Sequence, residues 1–289
     1  MPELPEIETV KLQLQQVLVG QKLVRVRVLS PKSVQGNIKL LEGQKVVGIR
    51  RKAKVLLMDF SKDLTAAFHF KMTGQLVLDK DNDGVTWKDR IVGGHPTEDY
   101  VGKLPSAHTR VIFDFDKGTL YFNDQRLFGW VIVDTQSKIE TLKFLQSLGP
   151  EPFDMAAAEF VSRVSKSKRP IKLVIMDQET VSGVGNIYAN DALWEAKISP
   201  HTSAGVLSVS QLTNLFEKVK LVLKEGIKYG GATAADAKYI DLRGLGGHYQ
   251  DHFRVYDRTG LPCHRCRTKI KKEFMSGRGT YYCPKCQQF

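Results

Sequence analysis

Met1-Pro2-Glu3-Leu4-Pro5-Glu6-Ile7-Glu8-Thr9-Val10 opens the chain, and two readings meet in it. Pro5 suits a first helical position, Glu6 and Glu8 fall in a first turn, and Ile7, Val10, Leu14, Val17 and Leu18 recur at helical spacing before Gly20, so a leading amphipathic helix is predicted. Trimming of Met1 would turn Pro2 into a secondary amine beside Glu3 and Glu6. Such an amine is a nucleophile that can form an iminium with a sugar-like carbon, which is covalent lyase chemistry. A Met-Pro start alone carries little, because methionine is commonly removed before any small residue. Here the helix anchors the terminus, and the positive end of its macrodipole disfavours protonation of an amine that already titrates at about 8.

Outward from that helix, residues 22 to 78 read as short strands. Val24, Val26 and Val28 alternate, and apolar runs follow at Val55 to Met58 and Leu64 to Phe70. Val111, Phe113 and Phe115 alternate up to Asp116-Lys117-Gly118, and Thr119 to Phe122 begin the return, predicting a hairpin in an antiparallel sandwich or barrel-like core. Residues 79 to 105, polar and without periodicity, are expected to form a long surface loop. Leu148-Gly149-Pro150-Glu151-Pro152 punctuates the chain, and the pattern turns helical beyond it: Phe153 to Val164, Ile171 to Met176, Ile187 to Ala196, and a long stripe from Leu212 to Ile227. The expectation is an α+β multidomain chain, with a catalytic β-rich domain over 1–150, a helical domain over 151–240, a glycine-rich segment over 241–258 and a small terminal module over 259–289. Residues 232 to 258 read as a mobile loop over a site, with a simple linker as the alternative.

All four cysteines fall near the end, as Cys263-x2-Cys266 and Cys283-x2-Cys286 with sixteen residues between the pairs. That spacing suits a four-thiolate Zn2+ site on two knuckles, and a module so small needs the metal for stability. Disulfides are the minor alternative, and His264 reads as a solvent-facing knuckle residue. The net charge of +12, from 43 Lys and Arg against 31 Asp and Glu, favours a polyanionic partner, nucleic acid first. With no apolar run long enough to span a bilayer and no leader pattern, a soluble cytosolic protein is expected. The turn Gly183-Val184-Gly185-Asn186 at a helix start offers amides to a phosphate, approached by Lys166, Lys168, Arg169 and Lys172. Arg278, between two glycines near a hairpin tip, is free to reach a phosphate.

The segments MPELPEIETV, RRKAKVLL around Lys54, MTG from Met72, DQRLFG from Asp124, MDQETVSGVGNIYAND from Met176 and GRGTYYCPKCQ near the end together resemble the formamidopyrimidine-DNA glycosylase family across nearly the whole chain. The resemblance implies an N-terminal β-sandwich, a helix-two-turn-helix domain and a zinc finger, with damaged duplex DNA as partner to a monomer near the nucleoid. It implies base excision and β,δ-elimination on oxidised purines such as 8-oxoguanine and formamidopyrimidines. Pro2 would attack the anomeric carbon of an everted nucleotide, Glu3 would assist sugar-ring opening, and Glu6 would orient the amine or a water. Lys54 would contact DNA phosphate and assist elimination, and Arg278 would grip phosphates flanking the lesion. Lys172 and Asn186 match phosphate ligands of the helical domain, and His108 matches a position near phosphate. Met72, Arg126 and Phe128 match the set that fills the gap left by the everted base, although Met72 and Phe128 read alone would more often be core residues. Leu127 departs from the family's basic residue at that position and puts one phosphate contact in question. Two rivals are an endonuclease VIII type acting on oxidised pyrimidines, disfavoured by Leu4, Arg126 and Phe128, and a non-catalytic zinc-bearing DNA-binding protein, disfavoured by Pro2 and Glu3.

Overall fold

A computed structural model describes residues 1–80, 90–94, 102–232 and 247–288, and the chain divides into two compact units, Met1–Gln146 with Tyr229–His248, and Ser147–Lys228 with Tyr249–Phe289. The first unit begins with helix α1 (Leu4–Leu18). Its strands are β1 (Leu23–Val28), β2 (Val34–Gln35), β3 (Val46–Lys52), β4 (Val55–Phe60), β5 (Leu64–His69), β6 (Gly74–Asp79), β7 (Ile91–Gly94), β8 (Thr109–Phe115), β9 (Thr119–Asp124) and β10 (Trp130–Thr135), followed by the short helices α2 (Gln136–Glu140) and α3 (Lys143–Gln146). They form two five-stranded sheets, ordered β1-β8-β9-β6-β7 and β2-β10-β5-β4-β3. Alternate residues of both sheets, among them Val26, Ile49, Leu56, Met58, Phe68, Leu76, Phe113, Phe122 and Val131, share one core with Ile7, Val10, Leu14 and Leu18 of α1. This is the sandwich with a leading helix that the sequence predicts.

Two expectations in this unit need correction. Val24, predicted to share a face with Val26, is 57% exposed, because a bulge between Leu23 and Arg25 resets the alternation so that Leu23 and Val26 point inward. The segment 79 to 105 is not loop throughout. β7 pairs antiparallel with β6, Leu78 opposite Ile91 and Gln75 opposite Gly94, Arg90 is buried against Asp79, and residues 81–89 and 95–101 lie outside the described residues. The strand escaped notice because two of its four residues are glycines. A Cβ on Gly93 would stand 2.2 Å from Val10 Cγ2, so a side chain there would push α1 off the sheet.

In the second unit, α4 (Ala157–Val164), α5 (Ile171–Ile175), α6 (Asn186–Ala196) and α7 (Val209–Lys228) follow the four helical patterns of the sequence, α4 starting four residues later than expected. The hairpin of β11 (Lys271–Met275) and β12 (Arg278–Tyr282) ends it. Of the proposed loop over 232–258, residues 233–246 lie outside the described residues. The remainder is no loose linker: Tyr249, Phe253 and Val255 are buried, Tyr249 rests 4.9 Å from Tyr188, and buried Asp191 accepts the Val255 and Tyr256 N–H groups at 3.0 and 3.1 Å. Glycines around these aromatics masked their packing role. The residues after α7 also group with the first unit, His248 N–H donating to Tyr229 O at 2.8 Å.

Candidate active site and nucleic-acid interface

At the chain start Met1 is exposed while Pro2, Glu3 and Glu6 are buried. Glu3 is the N-cap of α1, and its N–H donates to Glu6 Oε2 at 2.7 Å. The other Glu6 oxygen accepts Ala232 N–H at 2.9 Å, so one carboxylate ties the helix start to the end of the 229–232 segment. Gly231 allows that approach, because a Cβ there would lie 2.9 Å from Glu6 Cγ. Glu6 is thus fixed by two backbone donors beside Glu3, the bond from the Glu3 N–H being that of a capping-box carboxylate at the helix start.

Lys54 occupies the tight β3–β4 turn behind Ala53, whose φ is +52°, and is only 5% exposed. A relay runs to it from α1: Glu8 Oε2 pairs with Arg51 Nε at 2.7 Å, and Arg51 donates to Ala53 O at 3.0 Å. Burial raises the Glu8 carboxyl, but hydrogen bonds from Lys11 and Arg51 outweigh it and hold the group below the usual carboxylate range. Arg50 is spoken for by Asp59 and Glu140. The sequence reading missed His69, which stands opposite Val55 across the β4–β5 pair. Burial, with Lys71 and Lys54 adding to it, brings its pKa down to about 3, so the ring is neutral at pH 7. Its Nδ1 accepts the Lys71 N–H at 3.0 Å, which assigns the ring proton to Nε2 and makes that atom a neutral donor. Its signal was a titratable residue closing the apolar run Ala66-Ala67-Phe68.

Met72, Leu127 and Phe128 are 42%, 44% and 53% exposed. Residues read alone as core are therefore set at the surface. The Arg126 guanidinium lies 4.9 Å from the Phe128 ring centroid, a cation–π contact that aligns the pair. Asp124, fully buried, holds both wedge segments: it accepts Gly129 N–H at 2.7 Å, Arg126 N–H at 3.2 Å and the Thr73 hydroxyl. Arg126 N–H is shared with Thr73 Oγ1 at 3.1 Å. Leu127 takes φ +56° within this turn. His108 stands at the edge of the same region, its carbonyl accepting Asp124 N–H at 2.9 Å. Arg110, which donates to Asp124 O at 2.7 Å, was missed from sequence and braces the same loop.

In the second unit the Gly183–Gly185 turn feeds α6 with Gly185 as N-cap and no side-chain cap, and Asn186 is the first residue of the helix, at the end whose dipole favours an anion. Gln178 shapes that turn, accepting Gly183 N–H at 2.9 Å and donating to Val184 O at 2.8 Å. Lys166, Lys168 and Arg169 are exposed, and Arg169 is paired with Asp177 at 2.7 Å. Lys172 departs from the role of surface phosphate ligand: it is 0% exposed, and its Nζ donates to Gly279 O at 2.8 Å and Thr280 Oγ1 at 2.7 Å. Asn190 Oδ1 accepts Tyr281 N–H at 2.9 Å. These bonds fasten β12, whose first residue, Arg278, is exposed directly after the Ser276-Gly277 turn, both residues of which have positive φ.

The four cysteine sulfurs lie within 4.8 Å of one another, with Cys263–Cys286 at 3.9 Å and Cys266–Cys283 at 3.4 Å. A tetrahedral Zn2+ with Zn–S bonds of about 2.3 Å sets its sulfurs roughly 3.8 Å apart, so the cluster fits the ion. Burial and the neighbouring thiols push Cys286 up to about 12, a crowding that a dication reverses. Trp194 Nε1 donates to Cys263 Sγ at 3.3 Å, a contact of the sort that tunes metal ligands. His264 is outside this group and lies edge-on to Trp194, as expected of a non-ligand. Trp194 also shares a core with Val255, Ile270 and Tyr281.

Three family models cover the chain: the formamidopyrimidine-DNA glycosylase N-terminal domain over residues 1–131, its H2TH domain over 148–238, and the zinc finger found in FPG and IleRS over 260–288. The formamidopyrimidine-DNA glycosylase of Listeria innocua is 36% identical, with all of both chains aligned. A Lactococcus lactis FPG mutant in complex with Fapy-dG-containing DNA superposes with a TM-score of 0.86 at 31% identity, covering 100% of each chain. MutM in complex with DNA containing carbocyclic 8-oxo-G does so with a TM-score of 0.84 at 30% identity, again covering 100% of each chain. With a leading-helix sandwich and a four-cysteine finger both in place beneath these matches, the chain belongs to the formamidopyrimidine-DNA glycosylase family.

Proposed function

We infer that the chain is a bifunctional DNA glycosylase and abasic-site lyase that excises oxidised purines, and that Pro2, freed of Met1, is its nucleophile. Its amine attacks the anomeric carbon of the everted nucleotide and displaces the base. Glu3 delivers a proton to the sugar-ring oxygen as the ring opens, leaving an iminium between Pro2 and the open deoxyribose. Elimination then expels the 3′ and afterwards the 5′ phosphate, with Lys54 and Arg278 stabilising the departing anions. Neutral His69 Nε2–H is a further phosphate donor near Lys54. Asn186 at the start of α6 holds the strand, His108 flanks it, and Met72, Arg126 and Phe128 occupy the gap. Lys172 serves this interface by fixing the Arg278 hairpin. Bound Zn2+ stabilises that hairpin and takes no part in the bond changes. The enzyme works as a monomer on duplex DNA at the nucleoid.

The observation that carries the reading is the burial of Glu3 beside Pro2 with Glu6 bonded to the Glu3 N–H: binding a polyanion gives no reason to bury carboxylates at its surface. Borohydride added during turnover of an 8-oxoguanine duplex should leave a covalent adduct on Pro2, and Pro2→Gly should lose most base excision. An adduct mapping to any lysine, or excision by Pro2→Gly at the wild-type rate, would refute the assignment.

A further inference from the structure

β10 turns Val131 and Val133 into the sandwich core and leaves Trp130 and Ile132 on the outer face of its sheet. There they border a cavity of about 330 Å³, completed by Gln35 of β2, by Lys71 after β5, and by Leu142, Lys143 and Phe144 around the start of α3. That volume is at the small-ligand end of binding pockets. The Trp130 and Phe144 rings meet at 87° with centroids 5.6 Å apart, a corner that offers a flat guest one face and one edge. Two ammoniums, Lys71 and Lys143, stand at the wall, and no carboxylate is among the lining residues. Gln35 adds an amide with both donor and acceptor, the group that pairs bidentately with an adenine edge. No residue proposed for the chemistry lines the cavity directly, but His69 packs on both rings, its centroid 5.3 Å from that of Trp130 and 5.8 Å from that of Phe144, and Lys71 directly precedes Met72.

We propose that this cavity is a second nucleotide site, taking a purine base against the packed Trp130 and Phe144 rings with its phosphate on Lys71 and Lys143. A flat ring with one anionic group uses both kinds of lining at once, whereas a simple anion uses only the two cations, of which Lys71 already stands 5.9 Å from the Phe144 centroid, and a neutral aromatic uses only the rings. The nucleotide comes either from free solution or from a single-stranded DNA end.

The test is calorimetric titration of the zinc-loaded full chain with dAMP, adenosine and inorganic phosphate. A parallel titration uses a lesion-free duplex, either blunt or carrying a short adenine tail. Base stacking on an aromatic side chain predicts that Trp130→Ala weakens dAMP binding about tenfold, with a comparable loss for Lys143→Glu and weaker binding of adenosine and phosphate than of dAMP. A Lys143→Glu effect on dAMP alone identifies a free nucleotide as the occupant. An effect on the tailed but not the blunt duplex identifies a DNA end. Equal dAMP affinity in wild type, Trp130→Ala and Lys143→Glu overturns the proposal, as does adenosine binding as tightly as dAMP. Lys143→Glu should leave excision from a blunt 8-oxoguanine duplex unchanged, which separates this site from the proposed catalytic one.

Discussion

Replacing Asp124 by Asn changes one oxygen into an NH2 and keeps the shape, so it isolates the carboxylate that joins the two wedge segments. Three donors converge on Asp124, from Gly129, Arg126 and Thr73. If the remaining oxygen faces Arg126 and Thr73, the new NH2 opposes Gly129 N–H. If the amide flips, Gly129 is satisfied and Arg126 N–H keeps only its shared bond to Thr73 Oγ1. Either arrangement loses a charge-assisted bond and sets donor against donor in a buried site, which costs about 2–4 kcal/mol. Urea unfolding of the zinc-loaded protein should show that loss. The wedge loops should loosen with it, so KM for a lesion duplex should rise about tenfold while kcat changes far less. Thr73→Val should be non-additive with Asp124→Asn, since both remove members of one network. Wild-type unfolding and wild-type KM in Asp124→Asn, or strict additivity with Thr73→Val, would refute the idea that one carboxylate holds both loops.

Because the folded-state pKa of His69 lies below its unfolded value, at about 3 against 6.5, its contribution to stability is fully present above pH 6.5 and is lost as pH falls toward 3. The difference in unfolding free energy between wild type and His69→Gln should therefore shrink from pH 7 to pH 4, and a constant difference counts against a buried neutral ring. Lys172→Met and Arg278→Ala should both weaken duplex binding, but only Arg278→Ala should lower the slope of log affinity against log salt, by roughly 0.9 for one lost phosphate contact. An equal fall in Lys172→Met would return Lys172 to the surface as a direct ligand. Removal of zinc by a chelator, or Cys263→Ser, should abolish duplex binding and change Trp194 fluorescence together. Retention of tight binding without metal would show that the hairpin folds unaided.

The architecture was legible wherever periodicity or spacing carried it: α1 from its apolar stripe, the β8–β9 hairpin from strict alternation ended by Gly118, and the finger from two Cys-x2-Cys pairs. It failed where backbone geometry decides. β7 has glycines in place of a hydrophobic pattern, and the bulge at Leu23 to Arg25 moves Val24 outward without any sign in composition. For the candidate site, residue types were readable but exposure was not. Met72 and Phe128 carry the same letters in a core as on a surface, and the bonds that Asp124 makes to Thr73, Arg126 and Gly129 hold the segments that put them outside. Lys172 sits in a basic run that implies a solvated cation, yet a carbonyl and a hydroxyl from a strand more than a hundred residues away take its protons. Such long-range partners have no local signature.

Asn186, Asn190 and Trp194 succeed one another at four-residue intervals along α6, and Asp191 lies one step round the helix from Asn190. Three of them are committed to different partners: Asn190 to the β12 backbone, Asp191 to the 249–256 segment and Trp194 to the Cys263 sulfur. A single inserted or deleted residue within α6 would swing everything beyond it by about 100° and misalign all of the later partners at once. The length of this helix is thus frozen in a way that its individual letters are not, and divergence within such a scaffold must be absorbed in its connecting segments.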